Sequence, residues 1–259
     1  WTYFINDSSG SGRGNYERMA FAYNRNRVFF RNLIGEMVFP KGALPGDEQI
    51  GRTPFFAAFQ AGWFRFTLCS THIVFEEKEN RPLREDEIRV IVEEAAGRQT
   101  YVMAHSYTAE AIERAVRLGV RTIEHGNLVD ERVAKIMAEK GAYVVPTLVT
   151  YEALANEGAD YGLPPDSVAK IATVRTAGLQ SLDIYKKAGV KIGFGSDLLG
   201  PSQRLQSDEF RIRAEVLSNW EVIQSATTTA AEVLRMEDRL GRLVPGATAD
   251  VLVVDGNPY

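Results

Sequence analysis

From Pro82 onward, apolar and polar positions alternate between short apolar runs and one-sided helical faces. Ile88, Ile91, Val92 and Ala95 stand at i, i+3, i+4 and i+7, which is one face of a helix. Glu85, Asp86 and Glu87 suit the positive end of its backbone dipole, and Gly97 stops it. Tyr101–Ala104 reads as a strand. Thr108 caps a helix with Ala111, Ile112, Ala115 and Val116 inward and Gly119 after it. Val120–Ile123 is the next strand. Asp130 caps a helix with Val133, Ile136 and Met137 inward, Gly141 follows it, and Ala142–Val145 is a strand ending at Pro146-Thr147. Strand, loop, helix and glycine recur about every twenty residues, an alternation that predicts a parallel sheet. The repetition is one of architecture, not of sequence.

A longer insert follows. Tyr151–Leu163 is helix or loop before Pro164-Pro165, and residues 166–188 carry a helical pattern with Val168, Ile171, Leu179, Leu182 and Tyr185. Gly189–Ile192 is a strand leading into Gly193-Phe194-Gly195-Ser196-Asp197. Ser207–Leu217, a segment capped by Asn219 and running to about Ala226, and Thr227–Met236 read as helices. Arg239–Gly246 is turn-rich, and Ala249–Asp255 predicts a last strand.

The first 75 residues differ. Eleven of the 13 phenylalanines lie between Phe4 and Phe75. Helical periodicity is poor until Phe55–Phe59. Asp7–Gly12 is a loop by composition, and Trp63–Phe66 and His72–Phe75 read as strand pieces.

The chain has 259 residues, enough for one large domain or a barrel. A net charge of -4 without a basic run gives no argument for nucleic acid. Cys69 is the sole cysteine, so intrachain disulfides and thiolate metal clusters are excluded. No apolar run is long enough to span a membrane, and a cytoplasmic setting is expected. The chain opens at Trp1 without an initiator Met or a signal-peptide pattern and stops at Tyr259 just past the last expected strand, so both ends read as cut.

Two of the three histidines share one kind of place. His105 closes the strand before Ser106-Tyr107-Thr108, and His125 closes the strand before Gly126. Each alone is more readily a strand-end histidine bonded to backbone. Together they are one βα unit apart, and adjacent parallel strands run about 4.8 Å apart, so both imidazoles can converge on one ion. Asp197 closes a further strand, at the edge where α/β folds bind ligands. It reads as a turn cap or as a metal ligand and general base. Two His and one Asp are a plausible set for activating water on a metal. Tyr107 either lines the mouth of the barrel or hydrogen-bonds a developing oxyanion. His72 reads as structural and Glu76–Glu79 as a solvated loop. Gly10-Ser11-Gly12 and Gly193-Phe194-Gly195 lack the spacing of phosphate loops.

From about Pro82 to its end the sequence resembles the metal-dependent amidohydrolase superfamily. The likeness is closest to the imidazolonepropionase-related branch of prolidases and N-acyl amino acid hydrolases, which includes ochratoxin-degrading enzymes. The residues that carry it are Val102–Thr108, Arg121–Asn127, Val144–Leu148, Gly193–Asp197 and Gly241–Gly246. The resemblance implies a (β/α)8 TIM-type barrel, incomplete here at its N-terminus, over residues 1–240. It implies that residues 241–259 return into a remnant of a small β-sandwich. It further implies that His105 ends strand five, His125 strand six and Asp197 strand eight. His105 and His125 would then hold one of one or two divalent metals, expected as Zn2+. Asp197 would serve the other metal or the water and act as base, and Tyr107 would contact substrate. The substrate would be a small molecule or dipeptide, an Xaa-Pro dipeptide or N-acyl amino acid, cleaved by metal-activated water. A homo-oligomer is expected.

Two family features are absent. No His-x-His of strand one occurs in the 259 residues, and Thr67 stands near the place of the bridging lysine. Three explanations stay open: a fragment, N-terminal residues that are not the true ones, or a natural homologue with a depleted site. Beside the enzyme stand two rival readings. One is a non-catalytic barrel remnant; the other is a metal-free barrel enzyme using His105 and Asp197 as an acid–base pair.

Overall fold

In the computed structural model, which describes residues 1–5, 20–36, 55–70, 83–159, 165–198 and 200–257, the apolar faces read from Ile88 onward close on one parallel sheet. Strands β6 (Met103–Thr108), β7 (Thr122–Leu128), β8 (Tyr143–Val145) and β9 (Lys191–Ile192) lie side by side in that order, each pair parallel. Register aligns Ala104, Ile123, Val144 and Ile192 in one row. That row packs against Ile112 and Val116 of α2 (Ala109–Arg117), Val133 and Met137 of α3 (Glu131–Lys140), and Tyr185 of α5 (Pro165–Ala188). The next row, His105, Glu124 and Val145, alternates to the other face of the sheet. The α/β expectation holds, with four parallel strands among the described residues where a (β/α)8 barrel closes eight.

Local chemistry sets the helix ends as expected. Thr108 Oγ1 accepts the Ala111 N–H at 3.3 Å to start α2, and Asp130 Oδ1 accepts the Val133 N–H at 2.7 Å to start α3. Gly141 ends α3 at φ 65°, left-handed backbone that glycine adopts without a side-chain clash. Ile88 and Val92 of α1 (Glu85–Gly97) pack against the same core, and Ile91 of that helix is buried.

Several boundaries move. β6 begins at Met103 and β7 runs to Leu128, so both histidines lie within longer strands instead of just after short ones. β9 has only two residues, and Asp197 stands five positions beyond it in a loop. α4 (Leu148–Glu157) starts before Tyr151. α6 (Asp208–Arg213) and α8 (Thr228–Val233) are shorter than expected. α7 (Asn219–Ala226) is capped by Ser218 and not by Asn219. Ser218 and Glu221 form a reciprocal capping box, which satisfies two backbone N–H groups where Asn219 would satisfy one. The strand expected at Ala249–Asp255 does not form. Its residues have strand composition but no ladder partner among the described residues, and Leu252 and Val253 are about nine-tenths exposed, at 87% and 88%. The expectations at Asp7–Gly12, His72–Phe75, Glu76–Glu79 and Val168 lie outside the described side chains.

The chain divides into two compact units, Trp1–Glu87 and Ile88–Tyr259. Within the first, β1 (Thr2–Ile5) pairs antiparallel with β2 (Ala20–Tyr23). β3 (Phe29–Glu36), β4 (Phe55–Ala61) and β5 (Phe64–Ser70) form an antiparallel sheet with β4 central. Phenylalanine richness has its physical reason here. Phe4 meets Phe30 at 4.3 Å between ring centroids, Phe21 meets Phe55 at 5.2 Å, and Tyr23 meets Phe59 at 5.2 Å. Phe55, Ala57 and Phe59 are the buried face of β4.

Candidate active site

The carboxyl ends of β6, β7 and β8 and the loop after β9 bring His105, Tyr107, His125 and Asp197 together. His125 Nε2 lies 2.8 Å from His105 Nδ1 and 3.9 Å from Asp197 Oδ2. Tyr107 lays its ring parallel to the His125 imidazole. His125 is 3% exposed, whereas the Asp197 side chain keeps 55% of its surface in solvent. Both His125 (φ 75°) and Asp197 (φ 48°) occupy left-handed backbone, which costs a residue with a side chain about 1–3 kcal/mol. The surrounding bonds hold them there. Gly126 follows at φ 65°, and its carbonyl accepts the Tyr185 hydroxyl at 2.7 Å. A Cβ at Gly126 would collide with that hydroxyl. Thr150 Oγ1 donates to the Asp197 carbonyl at 3.1 Å.

Hydrogen bonds engage both ring nitrogens of His125. Its Nδ1 is 2.7 Å from Thr147 Oγ1. The Thr147 hydroxyl bonds the Tyr151 phenol, and Tyr151 donates to Tyr107 Oη at 3.0 Å. With the His125 proton on Nδ1, the Thr147 hydroxyl accepts it and the Nε2 lone pair is left toward His105 and Asp197. Because Tyr151 donates to it, Tyr107 keeps its own proton for another acceptor.

Burial dominates the electrostatics. It holds the His125 imidazole down to about 3, with the His105 charge acting in the same sense. It pushes the Glu124 carboxyl up to about 7, against the Thr122 hydroxyl bond and with Asp197 adding to the rise. Asp197 itself is raised by partial burial, an effect that its exposed surface screens. Burial also raises the Tyr107 and Tyr151 phenols, so both stay protonated at neutral pH.

The donors can be tested against a divalent metal. Tetrahedral coordination with bonds of about 2.0–2.1 Å separates donor atoms by about 3.3 Å. Separations of 2.8 and 3.9 Å bracket that value, and both are measured from His125 Nε2. The Thr147 bond on its other nitrogen is the usual arrangement behind a metal-ligating histidine. Ligation by both rings requires His105 to carry its proton on Nε2, because Nδ1 now shares one with His125. Among the described residues no group of three or more His, Cys, Asp and Glu side chains closes a complete ligand set. The described residues thus offer a divalent metal no more than a histidine pair with Asp197 at its margin.

Thr147 and Tyr151 were not singled out from the sequence. The signal available was position: Thr147 stands just past the carboxyl end of β8 and immediately before α4, and Tyr151 lies in the first turn of that helix.

The amidohydrolase family model matches residues 61–259. A crystal structure of an amidohydrolase is 71% identical with a TM-score of 0.67, covering 68% of this chain and 43% of that one. A prolidase solved with N-methylphosphonate-L-proline is 63% identical with a TM-score of 0.67, covering 70% of this chain and 44% of that one. Ochratoxinase of Aspergillus niger is 33% identical over 175 residues, 67% of this chain and 36% of its own. The chain therefore spans less than half the length of each of these relatives.

Proposed function

Since the chain belongs to the amidohydrolase family, we propose that its second unit supplies one side of the active site of a metal-dependent hydrolase that cleaves an amide bond beside a proline or another amino acid carboxylate. The observation that carries this reading is the run of contacts from His125 through Thr147 and Tyr151 to Tyr107, which sets an imidazole and a phenol side by side. The likeness to a prolidase and to ochratoxinase supports the bond type.

His105 and His125 would hold a divalent metal, with zinc the first candidate. Such an ion supplies an activated water nucleophile and polarises the scissile carbonyl. Asp197, exposed beside His125, takes a proton from the nucleophile and returns it to the leaving amine. Tyr107 donates its free proton to the oxygen that gains charge in the transition state. Buried His125 stays neutral and fixed while this happens.

A second reading has its own observation: the described residues close no three-ligand set, which favours a binding or structural role for this chain. Elemental analysis of the purified chain with and without added zinc separates the two. Near-stoichiometric zinc, lost in the His105→Ala, His125→Ala double variant, together with hydrolysis of Xaa-Pro dipeptides or N-acyl amino acids, supports the enzyme. No bound metal and no turnover under either condition overturns it.

A further inference from the structure

Behind the site lies a fully buried ion pair. Glu209 and Arg213, one helical turn apart on α6, are both 0% exposed. Arg213 Nε donates to Glu209 Oε1 at 2.6 Å. Its Nη1 donates to the Gly193 carbonyl at 2.6 Å and to Ser225 Oγ at 3.3 Å, and its Nη2 to the Pro146 carbonyl at 2.5 Å. Glu209 Oε2 accepts the Val149 N–H at 2.7 Å. The guanidinium also lies 4.6 Å from the centre of the Phe194 ring. Desolvation favours the neutral form of each group, and the charge-assisted bonds between them oppose it.

A pair whose only task was stability would be an expensive choice, because apolar residues of similar volume are commonly as good. Its contacts have a direction. Pro146 precedes Thr147, the partner of His125 Nδ1. Val149 lies between Thr147 and Tyr151. Gly193 opens the segment that ends at Asp197. One guanidinium thus holds the carboxyl ends of two neighbouring strands, and its carboxylate partner holds the start of α4.

We propose that Glu209 and Arg213 are positioning residues that lock the Thr147 and Asp197 segments around His125, and so set the His125 tautomer and the spacing of its partners. The metal-binding consequence rests on the hydrolase reading; the tautomer consequence does not.

The test uses the full chain with 15N-labelled histidine, metal-free, read by long-range proton–nitrogen correlation. In the unaltered chain His125 should show a single tautomer with its proton on Nδ1. Arg213→Lys keeps the charge beside Glu209 but cannot bridge both carbonyls in a planar fork. The double variant Glu209→Met, Arg213→Met removes both charges together. Val133→Ala, in the core among the helices, serves as a variant that lowers stability without touching the clamp. In the folded Arg213→Lys and double variants the His125 signals should move to averaged tautomers, and zinc should bind about tenfold more weakly or worse. Val133→Ala should change neither. Native tautomer and zinc affinity in a folded Arg213 variant overturn the proposal. So do equal changes in Val133→Ala, or failure of both Arg213 variants to fold, which would make the pair a fold element only. If the unaltered chain binds no zinc and cleaves nothing, the hydrolase reading fails while the tautomer comparison still decides the clamp.

Discussion

The Tyr107 ring lies parallel to the His125 imidazole, 5.0 Å between centroids and 5° between planes. Tyr107 and His125 also occupy the two ends of one hydrogen-bonded chain through Tyr151 and Thr147. Tyr151→Phe cuts that chain without changing the ring that fills the site. Turnover on the proposed substrates should fall about tenfold in that variant with little change in KM. Tyr107→Phe removes the donor itself and should cost about 10²–10³ in kcat. Steady-state kinetics on both variants checks the order; equal, negligible losses would remove Tyr107 from the chemistry.

Asp197 contributes little to the fold. Its carboxylate is mostly in solvent and approaches His125 no closer than 3.9 Å. Asp197→Asn should leave the unfolding midpoint unchanged and lower turnover by about 10²–10⁴, the range for losing a positioned general base. Unchanged turnover would sink the role.

Why were these residues legible and others not? His105 and His125 stand out because the chain has only three histidines, and Asp197 because the strand pattern places it at the same edge of the sheet. Thr147 shares that place, but threonine is ordinary there, and only its 2.7 Å bond to His125 gives it a role. Glu209 and Arg213 sit at i and i+4, which in sequence reads as an exposed helical ion pair. Their complete burial comes from α4 and α7 lying against α6 and from the Pro146 and Gly193 carbonyls meeting Arg213, a tertiary fact with no local signature. Ser218 and Asn219 are neighbouring cap-competent residues, and Glu221 three positions on decides for Ser218. At Ala249–Asp255 the composition is right for a strand. A strand is also a relation to a neighbour, and composition cannot supply one.

The amino ends of the strands carry a different cluster, and it gives a pH dependence. Glu232 bonds Lys191 and the Tyr143 hydroxyl, while its backbone carbonyl accepts Arg121 Nη2 at 2.7 Å. The Lys191 bond is the main cause holding the Glu232 carboxyl below its usual 4.5. A carboxylate depressed on folding stabilises above its unfolded value and loses that contribution as pH falls through the folded one. Lys191, raised mainly by the same bond, contributes below its unfolded 10.5 and loses it as pH rises through the folded value. Glu232→Gln should therefore be less stable than the unaltered chain by at most about 1 kcal/mol at pH 7, since the pair is partly solvated. The gap should close on acidification below about pH 4 and shrink in 1 M salt. Urea unfolding at pH 7 and pH 3 measures it; a gap that widens in acid would contradict the assignment.

Gly241 opens the Gly241–Gly246 turn that joins the last helix to the C-terminal segment, and its requirement for glycine is steric on two counts. Its φ is 77°, in the left-handed region where a Cβ is strained. A Cβ built there would meet the Thr227 carbonyl oxygen at 2.5 Å, the Thr227 carbonyl carbon at 2.7 Å and the Thr228 nitrogen at 3.0 Å. All three are backbone atoms at the junction of α7 and α8, so no side-chain rotation relieves the contact. Gly241→Ala must shift either the turn or the start of α8, which carries Glu232 against Lys191. The expected loss is about 2 kcal/mol or more, the sum of left-handed strain and overpacking. Gly246, at φ 91° with open space where its Cβ would point, supplies the comparison. Gly246→Ala bears the backbone strain alone and should lose about half as much. Equal losses in the two variants would show that backbone conformation decides the turn, and that the close approach to Thr227 does not.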